Sequence, residues 1–283
     1  MAVAKVLNHI KIPAKEILED YRICVLSRET SLIGRKEVFM GKAKFGIFGD
    51  GKEVPQLAMA RVFRKGDHRS GYYRDQTFMF AIGELTVQQY FAQLFAHTDI
   101  EADPSSAGRL MNSHFATRML DPAGNWLKQT GLKNSSSDIS PTGAQMSRLI
   151  GLAFASKLYR NNPELEDLKD FSENGNEVAF GTIGNAATSE GCFFEAVNAA
   201  GVLQVPMVLS VWDDGYGISV PNKFHTVKED IGKVMQGFQR DGDGNGLEIF
   251  QVKGWDYMAC VDVFEKATSL AREQHLPSLI LFT

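Results

Sequence analysis

Cysteine is scarce in this chain and shows no pattern. Cys24, Cys192 and Cys260 are the three present. An odd, widely separated set builds neither a disulfide framework nor a Cys-x-x-Cys metal site, and it points to a reducing, cytoplasmic setting. No stretch approaches the roughly 20 apolar residues that a membrane span needs, so no membrane association is expected. Met1 to Tyr21 mixes Lys and Glu into its apolar positions and lacks a signal-peptide core. A surplus of positive charge is missing as well. The 30 Lys and Arg against 34 Asp and Glu leave a net charge of −4, which argues against nucleic acid as a partner. Internal repeats and low-complexity tracts are also lacking.

What remains is an ordinary globular composition, 44% hydrophobic and 23% charged over 283 residues, enough to bury a substantial core. The first part, to about Leu120, suits helices and loops, with amphipathic helices over Ala14 to Glu29, Val54 to Phe63 and Thr86 to Phe95. Gly108 to Asp138 is irregular and rich in turn chemistry, too long for a passive connection, and is therefore a candidate for binding work. Ser140-Pro141 then suits the opening of a long helix to Tyr159, with Ser140 as its cap. After Asn176 an alternation begins. Strands are expected over Val178 to Ile183, Met207 to Trp212, Glu248 to Val252 and Ser278 to Thr283. Helices fall between them at Ser189 to Leu203, Lys228 to Phe238 and Val261 to Gln274. Strands alternating with helices of this length indicate βαβ units and a parallel sheet. The expected fold class is therefore α/β, a parallel sheet with flanking helices behind a helical N-terminal arm, in one domain over 1–283 whose core is 139–283.

In an open parallel sheet ligands collect outside the carboxyl ends of the strands. Two loops at such ends carry candidate ligands: Gly184-Asn185-Ala186-Ala187-Thr188-Ser189-Glu190-Gly191 and Trp212-Asp213-Asp214-Gly215-Tyr216-Gly217. The Asp214 carboxylate, the Asn185 amide oxygen and the Tyr216 backbone carbonyl, with two diphosphate oxygens and a water, make the six oxygens that Mg²⁺ prefers. Side chains alternate along extended backbone, so Asp213 and Asp214 are not expected both to face the ion. Ala186 and Ala187 are small enough to let the backbone approach a phosphate, and the following helix offers free N–H groups. Taken singly, Asn185 or Asp214 is explained as a turn-former at a strand end. The pairing of the two motifs carries the ligand reading.

These residues resemble the alpha subunit of the thiamine-diphosphate-dependent 2-oxo acid dehydrogenases, bacterial type. That family reads Gly-Asp-Gly-Ala-Thr-Ser-Glu-Gly and, further on, Asn-Asn-x-Tyr-x-Ile-Ser. Here the ligand pair is exchanged, an amide at Asn185 and a carboxylate at Asp214. The resemblance runs from about Tyr21 to Thr283 and implies the thiamine-diphosphate-binding fold. Tyr73-Arg74-Asp75 resembles a Tyr-Arg-Glu whose Tyr and Arg contact the cofactor diphosphate. Ser140-Pro141-Thr142 with Gln145 resembles a segment that touches the aminopyrimidine ring. His114 matches a His of the bacterial branch and becomes a candidate catalytic group near the substrate. Thr142 is polar where branched-chain members carry a bulky apolar residue, and Trp212 stands where some have an Arg.

The resemblance implies thiamine diphosphate and Mg as cofactors, and oxidative decarboxylation of a branched-chain 2-oxo acid with acyl transfer to a lipoyl-bearing acyltransferase. It also implies a beta-type transketolase-like subunit or domain that completes the active site. The family has a His-bearing loop past the last strand identified, so a C-terminal truncation at Thr283 is expected, with little activity without the partner. Two alternatives stay open. One is a pyruvate or acetoin dehydrogenase alpha subunit; the other is a non-catalytic assembly subunit. Two look-alikes are set aside: Gly49-Asp50-Gly51 suits a turn, and Asp241 to Gly246 imitates a calcium loop but meets Val252 where a bidentate Glu is required.

Overall fold

A computed structural model describes residues 11–242 and 244–283. The reading of Met1 to Tyr21 as lacking a signal core rests partly on residues 1–10, and the calcium look-alike includes Asp243; these lie outside the described residues. Helices α1 (Ala14–Phe39) and α2 (Glu53–Val62) lead into strand β1 (His68–Ser70) and helices α3 (Gln76–Ile82) and α4 (Val87–Leu94). Strand β2 (Asn134–Ser135), helix α5 (Gln145–Asn161), strand β3 (Ala179–Gly184), helix α6 (Gly191–Leu203) and strand β4 (Met207–Trp212) follow. A hairpin of β5 (Tyr216–Gly217) and β6 (Val220–Pro221) precedes α7 (Ile231–Met235), β7 (Glu248–Val252), α8 (Tyr257–Gln274) and β8 (Ser278–Phe282). No described helix is long and apolar enough to cross a membrane.

Six strands form one parallel sheet in the order β2-β1-β3-β4-β8-β7. The central strands are buried on both faces, and successive residues supply opposite cores because strand side chains alternate. Phe180, Val208 and Ile280 pack with α2, α3 and α8 on one side. Ala179, Leu209 and Leu281 pack with α5 and α6 on the other. Gly181 admits Leu149 from α5, since a Cβ there would lie 2.2 Å from its Cδ2. The sheet is thus clamped from both faces, which fixes its carboxyl edge as a rigid platform.

The structure departs from the expectations mainly before Leu120 and at helix boundaries. The arm is not purely helices and loops, because β1 enters the sheet between β2 and β3. Helix α1 runs on to Phe39 instead of stopping at Glu29, and α3 was not anticipated. Helix α5 begins at Gln145, and Ser140 does not cap it: Gly143 takes φ +81, a left-handed turn that stops helix at Pro141 from continuing. The turn at Ala186–Ser189 is 3-10, so α6 starts at Gly191. The expected helix from Lys228 to Phe238 shrinks to α7, because Lys228 and Glu229 both adopt positive φ and Asp230 caps only from there. Helix α8 starts earlier, where Asp256 accepts from the Ala259 N–H as its N-cap.

Candidate functional site at the carboxyl edge of the sheet

Strands β3 and β4 end in register, Gly184 opposite Trp212. The Asn185 N–H then donates to the Trp212 carbonyl at 3.1 Å, so the ladder itself fixes where Asn185 leaves the sheet. Thr188 reinforces the turn, its hydroxyl donating to the Asn185 carbonyl at 2.6 Å. No side chain caps the first turn of α6, which leaves N–H groups facing this edge, where a negative group is favoured.

On the neighbouring loop the two aspartates face different partners, as backbone alternation requires. The Asp213 carboxylate accepts from the Gly215 N–H at 2.9 Å and from Asn222 Nδ2 at 3.3 Å. Asn222 accepts in turn from Asn185 Nδ2 at 2.6 Å. Asp214 accepts from the Tyr216 N–H at 3.2 Å through one oxygen and from Lys52 Nζ at 2.7 Å through the other. The structure therefore links Asn185 to Asp213 through Asn222 and ties Asp214 to Lys52. No hydrogen bond joins Asn185 to Asp214 among the described residues. Tyr216 opens the hairpin, where the Asn222 N–H donates to the Gly215 carbonyl and Tyr216 sits opposite Pro221. In an antiparallel ladder hydrogen-bonded pairs alternate with open ones, and Pro221 has no N–H to give, so the Tyr216 carbonyl is directed away from the hairpin.

A second group assembles beside these loops. The buried His114 has Nδ1 at 3.1 Å from the Asn112 carbonyl and Nε2 at 3.1 Å from the Ser140 hydroxyl. A carbonyl only accepts, so Nδ1 carries a proton, and Nε2 shares a hydrogen bond with the Ser140 hydroxyl. The Tyr73 ring lies 6.2 Å from that of His114, and the Arg74 guanidinium sits 5.6 Å from the Tyr73 ring. Arg74 also donates to the Phe48 carbonyl at 2.8 Å. Tyr73, His114 and Ser140 are thus brought together. Thr142 is exposed in the turn before α5; Ala186 is half-buried and Ala187 buried at the start of the turn after β3.

Four residues of this edge escaped the sequence reading: Lys52, Tyr72, Asn222 and His225. Lys52 follows Gly49-Asp50-Gly51, which is a turn whose Asp50 pairs with Arg35 at 2.6 Å. The Tyr72 hydroxyl is buried without a partner among the described residues and lies against Gly184, 3.4 Å from where a Cβ would stand. Burial pushes this phenol well above its usual range, against the Arg74 guanidinium and with Asp75 and Asp214 adding to the rise, so it remains a donor. His225 Nε2 is likewise buried and unpartnered beside Gly217, which is itself pressed on Ala186. None of these four has a local signature in the sequence.

An oxygen-only set of ligands beside unpartnered buried donors fits a hard divalent cation with a diphosphate. Groups of three or more His, Cys, Asp or Glu that could hold a metal are absent among the described residues. The platform itself is held by Arg69, fully buried, whose guanidinium bonds Asp75 at 2.9 Å and Asp138 at 3.0 Å. Burial pushes the Asp75 carboxyl up even with that guanidinium beside it.

Residues 21–283 match the family described as dehydrogenase E1 component. The chain belongs to that family. This E1 chain is similar to the 2-oxoisovalerate dehydrogenase subunit alpha of Bacillus subtilis, 27% identical over 94% of this chain and 69% of that one. It is also similar to the pyruvate dehydrogenase E1 component subunit alpha of Acholeplasma laidlawii, 24% identical over 95% of this chain and 64% of that one. The mitochondrial 2-oxoisovalerate dehydrogenase subunit alpha of Mus musculus is 24% identical over 95% of this E1 chain and 52% of its own length. The chain thus spans between about half and about two thirds of these relatives.

Proposed function

We propose that this E1 chain is the alpha part of a 2-oxo acid dehydrogenase that holds thiamine diphosphate and Mg²⁺ at the carboxyl edge of β3 and β4. On this reading 1–283 is a single alpha-type unit, with 139–283 as its cofactor core. The observation that carries it is the convergence on one sheet edge of Asn185, Asp213, Asp214 and an outward Tyr216 carbonyl in a chain that matches the E1 family. Asn185, Asp214 and the Tyr216 carbonyl would ligate the metal. Tyr73 and Arg74, with the backbone at Ala186 and Ala187, would meet the diphosphate, and the Tyr72 hydroxyl would donate to it. Ser140 and Thr142 would border the aminopyrimidine. Bound thiamine diphosphate supplies an electron sink for loss of CO₂ from a 2-oxo acid. His114, oriented by Asn112 and Ser140, would move a proton near the substrate.

A branched-chain 2-oxo acid is favoured by the names of the Bacillus and mouse relatives. The polar Thr142 favours a smaller acid such as pyruvate, the second reading. A beta-type transketolase-like subunit or domain and a lipoyl-bearing acyltransferase complete the assembly on either reading, in the cytoplasm. Two experiments test this. Calorimetric titration of the chain with thiamine diphosphate should give heat that depends on Mg²⁺, and no metal-dependent heat would leave an assembly subunit as the better account. A panel of 2-oxo acids with a redox dye and the beta-type partner then separates the substrates.

A further inference from the structure

Lys52 reaches the site from a distant part of the chain, the turn before α2. Its backbone is set by Gly51 at φ +94 and by Gly49, which is so close to the Arg74 carbonyl that a Cβ would lie 2.5 Å from that oxygen. The neighbouring Glu53 is already occupied by Arg28, through bonds of 2.6 and 2.9 Å. The Lys52 side chain is only 12% exposed, whereas Asp214 is 54% exposed. A buried ammonium needs a counter-charge, and Asp214 supplies it at 2.7 Å. Both border a cavity of about 330 Å³ that opens between the ends of β4 and β8, lined also by Arg28, Trp212 and Trp255.

One oxygen of Asp214 is thus bonded to the Tyr216 N–H and the other to Lys52. A divalent cation arriving at this carboxylate meets an ammonium already in place, and two cations on one carboxylate repel. Lysine carries its charge as a point on a flexible four-carbon stem, so it can leave Asp214 while its backbone stays fixed. A diphosphate bound to the same cation offers that ammonium a new anion beside Asp214.

We propose that Lys52 is a built-in counter-cation that holds Asp214 in the metal-free chain and passes to the diphosphate when the divalent cation takes its place. This rests on the functional reading above. It couples the two ligands, since either one alone leaves a charge unpaired: the cation must displace Lys52 without offering it a new partner, and the diphosphate alone finds Lys52 engaged.

The test is titration of the 283-residue chain with Mn²⁺, followed by electron paramagnetic resonance of the free ion, with and without inorganic diphosphate. In Lys52→Met, Mn²⁺ alone is expected to bind at least about fivefold tighter than in wild type, and the gain in Mn²⁺ affinity on adding diphosphate to shrink at least about fivefold. Lys52→Arg keeps the charge and is expected to keep the coupling. In Asp214→Asn the Lys52→Met change is expected to have no further effect on Mn²⁺ alone. Equal Mn²⁺ affinity and coupling in wild type and Lys52→Met, with wild type binding diphosphate only when metal is present, overturns the inference and leaves the functional reading standing. Failure of wild type to bind diphosphate in a metal-dependent way overturns both.

Discussion

The Asn185 amide nitrogen donates to the Asn222 side-chain oxygen at 2.6 Å, and Asn222 donates onward to Asp213. This leaves the Asn185 oxygen as an acceptor of fixed direction, so Asn222 orients the group proposed above to ligate the metal. Partners of this kind behind a metal ligand are typically worth 10–100-fold in affinity. Asn222→Ala is expected to weaken Mg²⁺-dependent binding of thiamine diphosphate by about tenfold or more, measured by calorimetry, while the far-UV circular dichroism stays that of wild type. Unchanged affinity would show that Asn185 needs no such support.

His114 is buried with both ring nitrogens engaged, whereas Ser140 is exposed at its other side. Loss of a positioned proton-transfer group typically costs 10²–10⁴-fold. With the beta-type partner present, His114→Asn is expected to lower kcat for a 2-oxo acid by at least about 100-fold. Ser140→Ala, which removes only one hydrogen bond to the ring, should cost far less. Comparable kcat in wild type and His114→Asn would remove His114 from the machinery.

The α/β half was legible because its signals are local. Strands β3, β4, β7 and β8 are short apolar runs bounded by turn residues, and each lies within a residue of its expected bounds. Strand β1 was not legible, since His68-Arg69-Ser70 has no strand-like composition, and its buried Arg69 finds Asp75 and Asp138 as partners only in the folded chain. The same limit hid Lys52 and Asn222. Their partners are Asp214, Asn185 and Asp213, brought near by the crossover of the sheet and by the hairpin, and no spacing in the sequence encodes either contact. Helix ends were misplaced where non-glycine residues, Lys228 and Glu229, adopt left-handed backbone, which tertiary context imposes and propensity does not foresee.

Arg69 is fully buried between two carboxylates. Removing one partner from a buried ion network leaves an uncompensated charge and typically costs 3–5 kcal/mol. Arg69→Met is therefore expected to lower unfolding stability by about 3 kcal/mol or more in urea. Adding Asp138→Asn to that variant should recover part of the loss, because one stranded carboxylate is then removed. A double variant no more stable than Arg69→Met would mean that packing around the guanidinium, and not charge, sets the cost.

His68 begins β1 with its Nδ1 buried and without a partner among the described residues. Burial holds its imidazole down to about 4, against 6.5 for an ordinary histidine. The unfolded chain therefore takes up a proton that the folded chain refuses. The stabilising contribution is full above about pH 6.5 and is lost as pH falls toward 4, amounting to about 2 kcal/mol lost by pH 5. His275, lowered by burial despite its bond to the Gly175 carbonyl, acts in the same direction. Urea unfolding at pH 7.5 and pH 5 should show this drop in wild type and a smaller one in His68→Leu. Equal drops in the two proteins would place the acid sensitivity at other groups, the paired carboxylates first among them.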